Sequence, residues 1–345
     1  MATSDYLSSS DLNSVDRGGV VNESVMQKIW DISKIPLPFT DMIGAGSHDN
    51  SLATWVQDKL QAQNLSNAVV DGQDITAYNN APQGPRVGNH SQISVKSVSV
   101  SERAQSVNTI GGNALSYQLM MRQQELKRDI EGIMLTGQAS VADNGDSVAG
   151  KSGGLASWLE TNVSVGAGAG AAGGYDPATG LTVAPTAGTK RAGSEAILRD
   201  LLQSVWENGG NPSVLMSVPA VIRKLSSYMF TSTAQIATLS SDVGQKKGAK
   251  VAQGSVNVFV TDFGITVDMV ANRLQPVVSA GVAQLYILDP ALLEVSYLKG
   301  VNVAPLAKAG LADKRLMSAD WTLKVLNERG LGGYFDLDTA LAWTA

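Results

Sequence analysis

The sequence predicts an α+β fold in which β-structure surrounds one long helix and a central α/β unit. Over residues 113–137, apolar side chains recur at three- and four-residue spacing, which is typical of an amphipathic helix. Residues 194–276 alternate between helix and strand signals, and residues 50–110 and 284–343 show the period-two alternation of strands. A length of 345 residues is sufficient for several compact units that share a sizeable core.

Composition excludes several classes of function. The chain has 26 basic and 31 acidic side chains, a net charge of −5, which excludes a strongly basic nucleic-acid-binding domain. Charged residues make up only 17%, so we expect small polar residues, or other protein, to cover the surface. There is no cysteine, which excludes disulfides and thiolate chemistry. Neither a signal peptide nor a membrane-spanning apolar run is predicted.

The first third of the chain reads as a polar arm followed by extended structure. Residues 1–24 are polar, acidic and serine-rich, and the two prolines in residues 35–39 force an extended conformation there. Over residues 50–110 we expect long β-structure with few large apolar side chains. Its apolar phase changes between Ile93–Val95 and Val98–Val100, which predicts a bulge or sharp twist near Lys96.

The middle of the chain is predicted to differ from the elements on either side. The long helix follows Gly111-Gly112 and ends at Gly137, and its charges are spread among the apolar positions. Residues 143–193 are rich in glycine and alanine, so we expect a flexible insertion or surface loop rather than part of a core. Beyond it, Ser194 and Ser217 are predicted to cap two helices, and Val214-Leu215-Met216 is predicted to form a short buried strand between them.

The strongest match to a catalytic motif is the sequence from Gly145 to Ser152, which fits the phosphate-binding pattern GxxxxGK[ST]. In that alternative Lys151 would hold phosphates and Ser152 would hold magnesium. A buried strand should precede such a loop and a long helix should follow it, yet here the order is reversed, so we interpret the match as coincidence. His48 and His90 lie in polar stretches without a nucleophile elbow, and no paired carboxylates stand out. The sequence therefore predicts no enzyme, cofactor or metal site.

Four tryptophans lie in apolar patterns and are predicted to pack in the core, although aromatic residues are also enriched at interfaces. These are Trp55, Trp158, Trp206 and Trp321.

An ordered series of segments resembles the SU-ten-type major head proteins of tailed phages, which have the Hong Kong 97-like fold. The segments are IPLPFTDMIG (35–44), RVGNHSQISVKSVSVSERAQSV (86–107), ELKRDIEGIMLTGQASV (125–141), GLASWLETN (154–162), NPSVLMSVPAVIRKLSSY (211–228) and WTLKVLNERGLGGYFDL (321–337). No single segment is diagnostic, but the series covers roughly residues 25–340 in order.

The resemblance implies a division of the chain into the parts of that fold. The parts are an N-terminal arm (1–45), an extended β-hairpin loop (46–110), the spine helix of a peripheral domain (111–142), an insertion or surface loop (143–193), an axial α/β domain (194–280) and the remainder of the peripheral domain (281–345).

The resemblance also implies a function, that of a capsid subunit which assembles through pentamers and hexamers into an icosahedral shell around double-stranded DNA. Implied partners are other copies of the chain, a portal protein, and scaffold and decoration proteins. The resemblance implies no association with a membrane. The implied location is the virion, after assembly in the host cytoplasm. A tail or tube component is the structural alternative, and the phosphate-loop hydrolase is the enzymatic one. The residues predicted to contact neighbouring subunits are Trp55, Ile93, Val95, Arg122, Glu125, Arg128 and Glu131.

Overall fold

A computed structural model describes residues 36–58, 63–74, 84–107, 114–228, 258–261, 263–308, 310–341 and 343. The helices are α1 (Pro38–Met42), α2 (Glu102–Ser106), α3 (Ala114–Met134), α4 (Leu155–Trp158), α5 (Glu195–Glu207) and α6 (Pro219–Tyr228). The strands are β1 (Gly44–Ser47), β2 (Leu52–Val56), β3 (Arg86–His90), β4 (Gln92–Ser101), β5 (Val163–Ser164), β6 (Gly174–Asp176), β7 (Leu181–Val183), β8 (Val214–Ser217), β9 (Val258–Val260), β10 (Thr266–Ala271), β11 (Val282–Leu288), β12 (Leu293–Pro305), β13 (Ala312–Val325) and β14 (Gly332–Asp338). The polar arm predicted at residues 1–24 lies outside these residues.

A four-stranded sheet combines the two ends of the chain, in the order β1-β12-β13-β4. Strand β1 is parallel to β12, and the other two pairs are antiparallel. The alternation predicted for the last segment is confirmed, because Trp321, Leu323 and Val325 of β13 are all fully buried on the same face.

The long helix α3 packs its apolar stripe into the main core. Its 21 residues span about 32 Å. Leu126, Ile130 and Met134 are buried at three- and four-residue spacing, in a cluster with residues of both large sheets. The helix predicted from residues 113–137 is therefore confirmed over Ala114–Met134, three residues short at its C-terminal end.

A second, mixed sheet of six strands has the order β5-β14-β11-β8-β10-β9. Helices α5 and α6 pack on one of its faces in a separate apolar cluster, while the other face joins the cluster around α3. The predicted α/β unit is thereby confirmed, including the buried strand at residues 214–216. Ser194 occupies the N-cap position of α5, but its side chain makes no capping hydrogen bond. The cap predicted at Ser217 is wrong, because Ser217 ends β8 and its buried hydroxyl donates to the Gln284 carbonyl at 2.6 Å.

The glycine- and alanine-rich segment 143–193 departs from the expected flexible loop. Leu155, Trp158 and Leu159 are fully buried in the main core. These large side chains bury apolar area that the glycines and alanines of the segment could not provide. Further along, the buried Asp336 carboxylate accepts from the backbone N–H groups of Gly166 and Gly188, both at 2.9 Å. The segment is thus fastened to β14 instead of standing apart, because hydrogen bonds replace the apolar area that its composition lacks.

The paired strands of the extended β-hairpin predicted over residues 46–110 comprise fewer residues in the structure. Strands β2 and β3 pair with each other, but β4 leaves them and pairs with β13. The described residues of the connection between β2 and β3, which we call the excursion, form no strand.

Asn89 locks this hairpin to the rest of the fold. Its fully buried amide donates to the carbonyls of Leu323 (2.7 Å) and Gly153 (3.1 Å) and to the Ser152 hydroxyl (3.2 Å), and its oxygen accepts from the Gly153 N–H (2.8 Å). We expect Asn89→Ala to lower the free energy of unfolding by about 2–4 kcal/mol, because it leaves buried partners without hydrogen bonds. Chemical denaturation measures this.

The matched control is Asn302→Ala, on the exposed part of β12, which should change stability by less than about 0.5 kcal/mol. Equal stability of the two variants would show that the Asn89 network does not hold the hairpin.

Candidate assembly surface

Strand β4 presents two large apolar side chains to solvent. Ile93 is 62% exposed and Val95 is 48% exposed, while Ser94 between them is buried. The strand pairs with β13 without interruption from Gln92 to Ser101, so the bulge predicted near Lys96 is absent. The change in apolar phase instead reflects a change in which face of β4 carries the apolar side chains. From Val98 onward the inner face is apolar, whereas at the Gln92 end the outer face is.

This apolar outer face lies at the edge of the four-stranded sheet. Ile93 is paired with Asp320 and Val95 with Ser318, so polar groups line the apolar pair on the side of β13. On the inner side, Lys96 forms a 2.6 Å ion pair with Asp129 of α3, which ties the strand to the long helix. An apolar patch carried on a fixed edge strand is suited to contact with another protein.

Trp55 fixes the base of the hairpin within its own subunit. Its indole N–H donates to the Val325 carbonyl at 3.0 Å, and its ring lies 5.3 Å from that of Trp158. Trp158 in turn stacks on Tyr175 at 5.6 Å. The structure thus places Trp55 at the base of the hairpin, packed against the core of its own subunit, while its predicted contact with a neighbouring subunit stays a prediction.

The part of the excursion that the structure describes, residues 63–74, is exposed throughout. It carries Leu65 at 89% exposure together with the exposed side chains of Val69 and Val70. These apolar residues follow no regular spacing, so periodicity does not mark them as candidates for a contact. Their exposure extends the candidate surface from β4 to the hairpin.

Of the four contact residues predicted on helix α3, three are partly exposed and one lies in the core. Arg122 and Glu125 pair with each other at 2.5 Å and are partly exposed, and Arg128 is partly buried. Glu131 is fully buried and bonded to residues of its own subunit, so the inter-subunit contact predicted for it is wrong. Its position on a helix laced with charges suggested the surface, but its partners lie inside.

The other aromatic predictions also divide. Trp158 and Trp321 are buried as predicted. Trp206 is 51% exposed at the end of α5 and touches Phe263 with a ring separation of 5.5 Å, so its prediction as a core residue is wrong.

The phosphate-loop pattern does not form a phosphate site. The Ser152 hydroxyl is buried and bonded to Asn89 and to the Leu323 N–H, where it cannot meet a metal ion. Lys151 forms a backbone bridge with Val141, and the helix that follows has four residues. A nucleotide-binding loop needs free amides at the start of a long helix, which this geometry does not offer.

The described residues contain no cluster of three or more histidine or carboxylate side chains that would hold a metal ion. Within the same residues, no helix combines the length and the apolar character needed to cross a membrane.

The family model described as SU10 major capsid protein matches residues 6–338. The chain belongs to this family. A major capsid protein of Escherichia phage Phieco32 is 36% identical over 105 residues, and that alignment spans 30% of this chain and 29% of the relative. The resemblance that the sequence motifs indicated is therefore confirmed at the level of the family.

Solved structures share the fold at low sequence identity. A capsid of a native GTA particle has a TM-score of 0.57 at 11% identity, covering 93% of this chain and 96% of that one. Mycobacterium phage Bobi gives 0.56 at 13%, covering 96% and 98%. The SrpI encapsulin of Synechococcus elongatus PCC 7942 gives 0.55 at 13%, also covering 96% and 98%. The predicted α+β, Hong Kong 97-like fold is confirmed.

The two histidines predict how stability depends on pH. Burial lowers the pKa of His48 below its ordinary 6.5, and Lys324 lowers this pKa further, while Asp320, Asp49 and Glu294 oppose the shift. Burial also lowers the pKa of His90. Each histidine is therefore harder to protonate in the folded state than in the unfolded state. Its contribution to the free energy of unfolding is complete above about pH 6.5 and is lost as the pH falls below that value.

We expect the melting temperature to fall between pH 7 and pH 5, and His48→Asn to reduce this slope. Asparagine is the matched replacement, because it can keep the hydrogen bond that the ring's Nδ1 makes with the Ser296 hydroxyl at 3.0 Å. Thermal melts across this range measure the effect. A variant with the same slope as the natural chain would show that His48 does not carry it.

Proposed function

We propose that this protein is the major capsid subunit of a tailed bacteriophage, which assembles through pentamers and hexamers into an icosahedral shell around double-stranded DNA. The observation that carries the proposal is the exposed apolar pair Ile93 and Val95 on the edge strand β4. The chain that presents this pair belongs to the SU10 major capsid protein family. Adjacent exposed apolar groups on an edge strand gain free energy when another protein covers them. In a shell, that protein is a neighbouring copy.

The hairpin supports the same proposal. Its base is held by Trp55 and Asn89, while the described part of its excursion is exposed and carries Leu65, Val69 and Val70. A segment that contacts little of its own subunit gains stability by lying on another one. We propose that it lies over the next subunit in the shell and adds to the area that each copy buries.

Charge supports a container for DNA over a DNA-binding protein. A net charge of −5 argues against a strongly basic subunit that would hold phosphate groups tightly. We propose that the shell encloses the genome without sequence-specific contact, which lets the DNA leave again. The remaining parts of the proposal are a portal protein and scaffold or decoration proteins as partners, assembly in the host cytoplasm, and no catalytic activity or cofactor.

The two alternatives predict other behaviour. A tail or tube component would form helical tubes, whereas the similar structures named as capsids and an encapsulin favour a closed shell for this fold. A phosphate-loop hydrolase would need the Ser152 hydroxyl to be accessible, and it is buried.

We expect Ile93→Asp to raise the concentration needed for assembly at least tenfold, with little change in melting temperature. Burial of an isoleucine contributes about 1.5–3 kcal/mol per contact, and a buried carboxylate costs more. Since about 1.4 kcal/mol is a factor of ten, the loss should be large. Light scattering over a concentration series measures it.

The matched control is Val148→Asp, which makes a similar change at an exposed valine outside the sheets. Normal assembly of Val148→Asp together with loss in Ile93→Asp supports the proposed contact. Normal assembly of Ile93→Asp and of the corresponding Val95→Asp variant would exclude this face from the shell interfaces.

A further inference from the structure

The buried carboxylate of Glu131 joins three distant parts of the chain. One oxygen, Oε1, accepts from the Asn272 side-chain amide at 2.7 Å and from the Phe39 backbone N–H at 3.4 Å. The other, Oε2, accepts from the Thr40 hydroxyl at 3.0 Å and the Thr40 backbone N–H at 3.3 Å. Residues 39–40 belong to α1, Glu131 to α3, and Asn272 follows β10.

The donors on α1 are the first amides of a helical turn, which have no acceptor within the turn itself. Glu131 supplies that acceptor. The Phe39 side chain beside it is fully buried in the main core. The point at which the described chain begins is therefore held by both a polar and an apolar contact.

Asn272 is held in one orientation. Its side-chain oxygen accepts from the Leu274 N–H at 2.8 Å, and its backbone N–H donates to the Ser217 carbonyl at 2.9 Å. Its amide N–H is thereby directed at Glu131. The carboxylate thus fastens α1 not only to α3 but also to the six-stranded sheet, at the C-terminal end of β10.

Only a carboxylate fits this position. All four groups that face Glu131 are donors, and a glutamine would direct its own N–H group at some of them. Within the described residues, none of the hydrogen bonds or ion pairs to Glu131 comes from a lysine or arginine. A buried charge held by hydrogen bonds alone is stable only while its donors stay in place, so the three segments are coupled.

We propose that Glu131 is the positioning residue that sets where the N-terminal arm leaves the subunit and links the arm to the six-stranded sheet. This inference rests on the proposed function and adds to it that the N-terminal arm (1–45), which the resemblance implies, contacts a neighbouring subunit. A displacement at Thr40 would change the direction in which the chain enters α1, and the yield of shells should depend on that direction.

The test is Glu131→Gln in the full chain, with two readouts. Hydrogen–deuterium exchange should accelerate at least tenfold at the amides of Phe39 and Thr40, and remain unchanged in β11. The yield of closed shells at equal protein concentration should fall at least threefold. The matched control is Glu195→Gln on α5, whose carboxylate is partly exposed and paired with Arg199, and which should change neither readout.

If Glu131→Gln folds but shows the same exchange at residues 39–40 as the natural chain, the inference is overturned. If that variant does not fold, Thr40→Val removes one donor alone, and should accelerate exchange at Thr40 at least twofold. Unchanged exchange in Thr40→Val also overturns it.

The two readouts separate this inference from the proposed function. A natural chain that forms shells, with a Glu131→Gln variant whose exchange accelerates but whose shells form in equal yield, contradicts only the role of Glu131 in assembly. A natural chain that forms tubes contradicts the proposed function, and the exchange readout still decides whether Glu131 anchors the arm.

Discussion

Burial of a single helical stripe organises the fold. Leu126, Ile130 and Met134 of α3 form one apolar cluster with residues from both large sheets, so the two sheets share a core that neither could close alone. The six-stranded sheet has its own second cluster under α5 and α6, which completes that unit on its other face. Since the area buried by this stripe decides how the sheets lie, substitutions in it should disturb both at once.

Polar anchors fasten the segments that have little core of their own. Asn89 holds the hairpin, Asp336 holds the glycine-rich segment and Glu131 holds the beginning of the described chain. Each side chain is buried and bonded to the backbone of another segment. Such contacts stabilise one arrangement over others, because a displaced segment would leave a buried polar group unsatisfied. The apolar groups that remain outside, on β4 and the hairpin, are then presented in fixed positions.

Elements with a regular apolar spacing over many residues were predicted correctly from the sequence. The position of single side chains was predicted wrongly where the residue type is compatible with either the surface or the core. The helix α3, the strand at residues 214–216 and the final antiparallel strands followed from spacing alone, and the ordered motifs indicated the family. The attachment of the glycine-rich segment to Asp336 and the burial of Glu131 on a charged helix depend on partners far away in sequence, which periodicity does not report. Ile93 and Val95 show the same limit, since their phase suggested a bulge and in fact marked an exposed face. Their predicted contact with a neighbouring subunit, like those of Arg122, Glu125 and Arg128, stays a prediction.

The mass and shape of the purified recombinant protein, by light scattering together with electron microscopy, test the central claim most directly. The account predicts closed shells, or discrete pentamers and hexamers of the 36.1 kDa chain. Helical tubes would contradict it in favour of a tail component. A monomer that binds and hydrolyses ATP, with loss of both in Lys151→Ala, would contradict it in favour of the phosphate-loop enzyme.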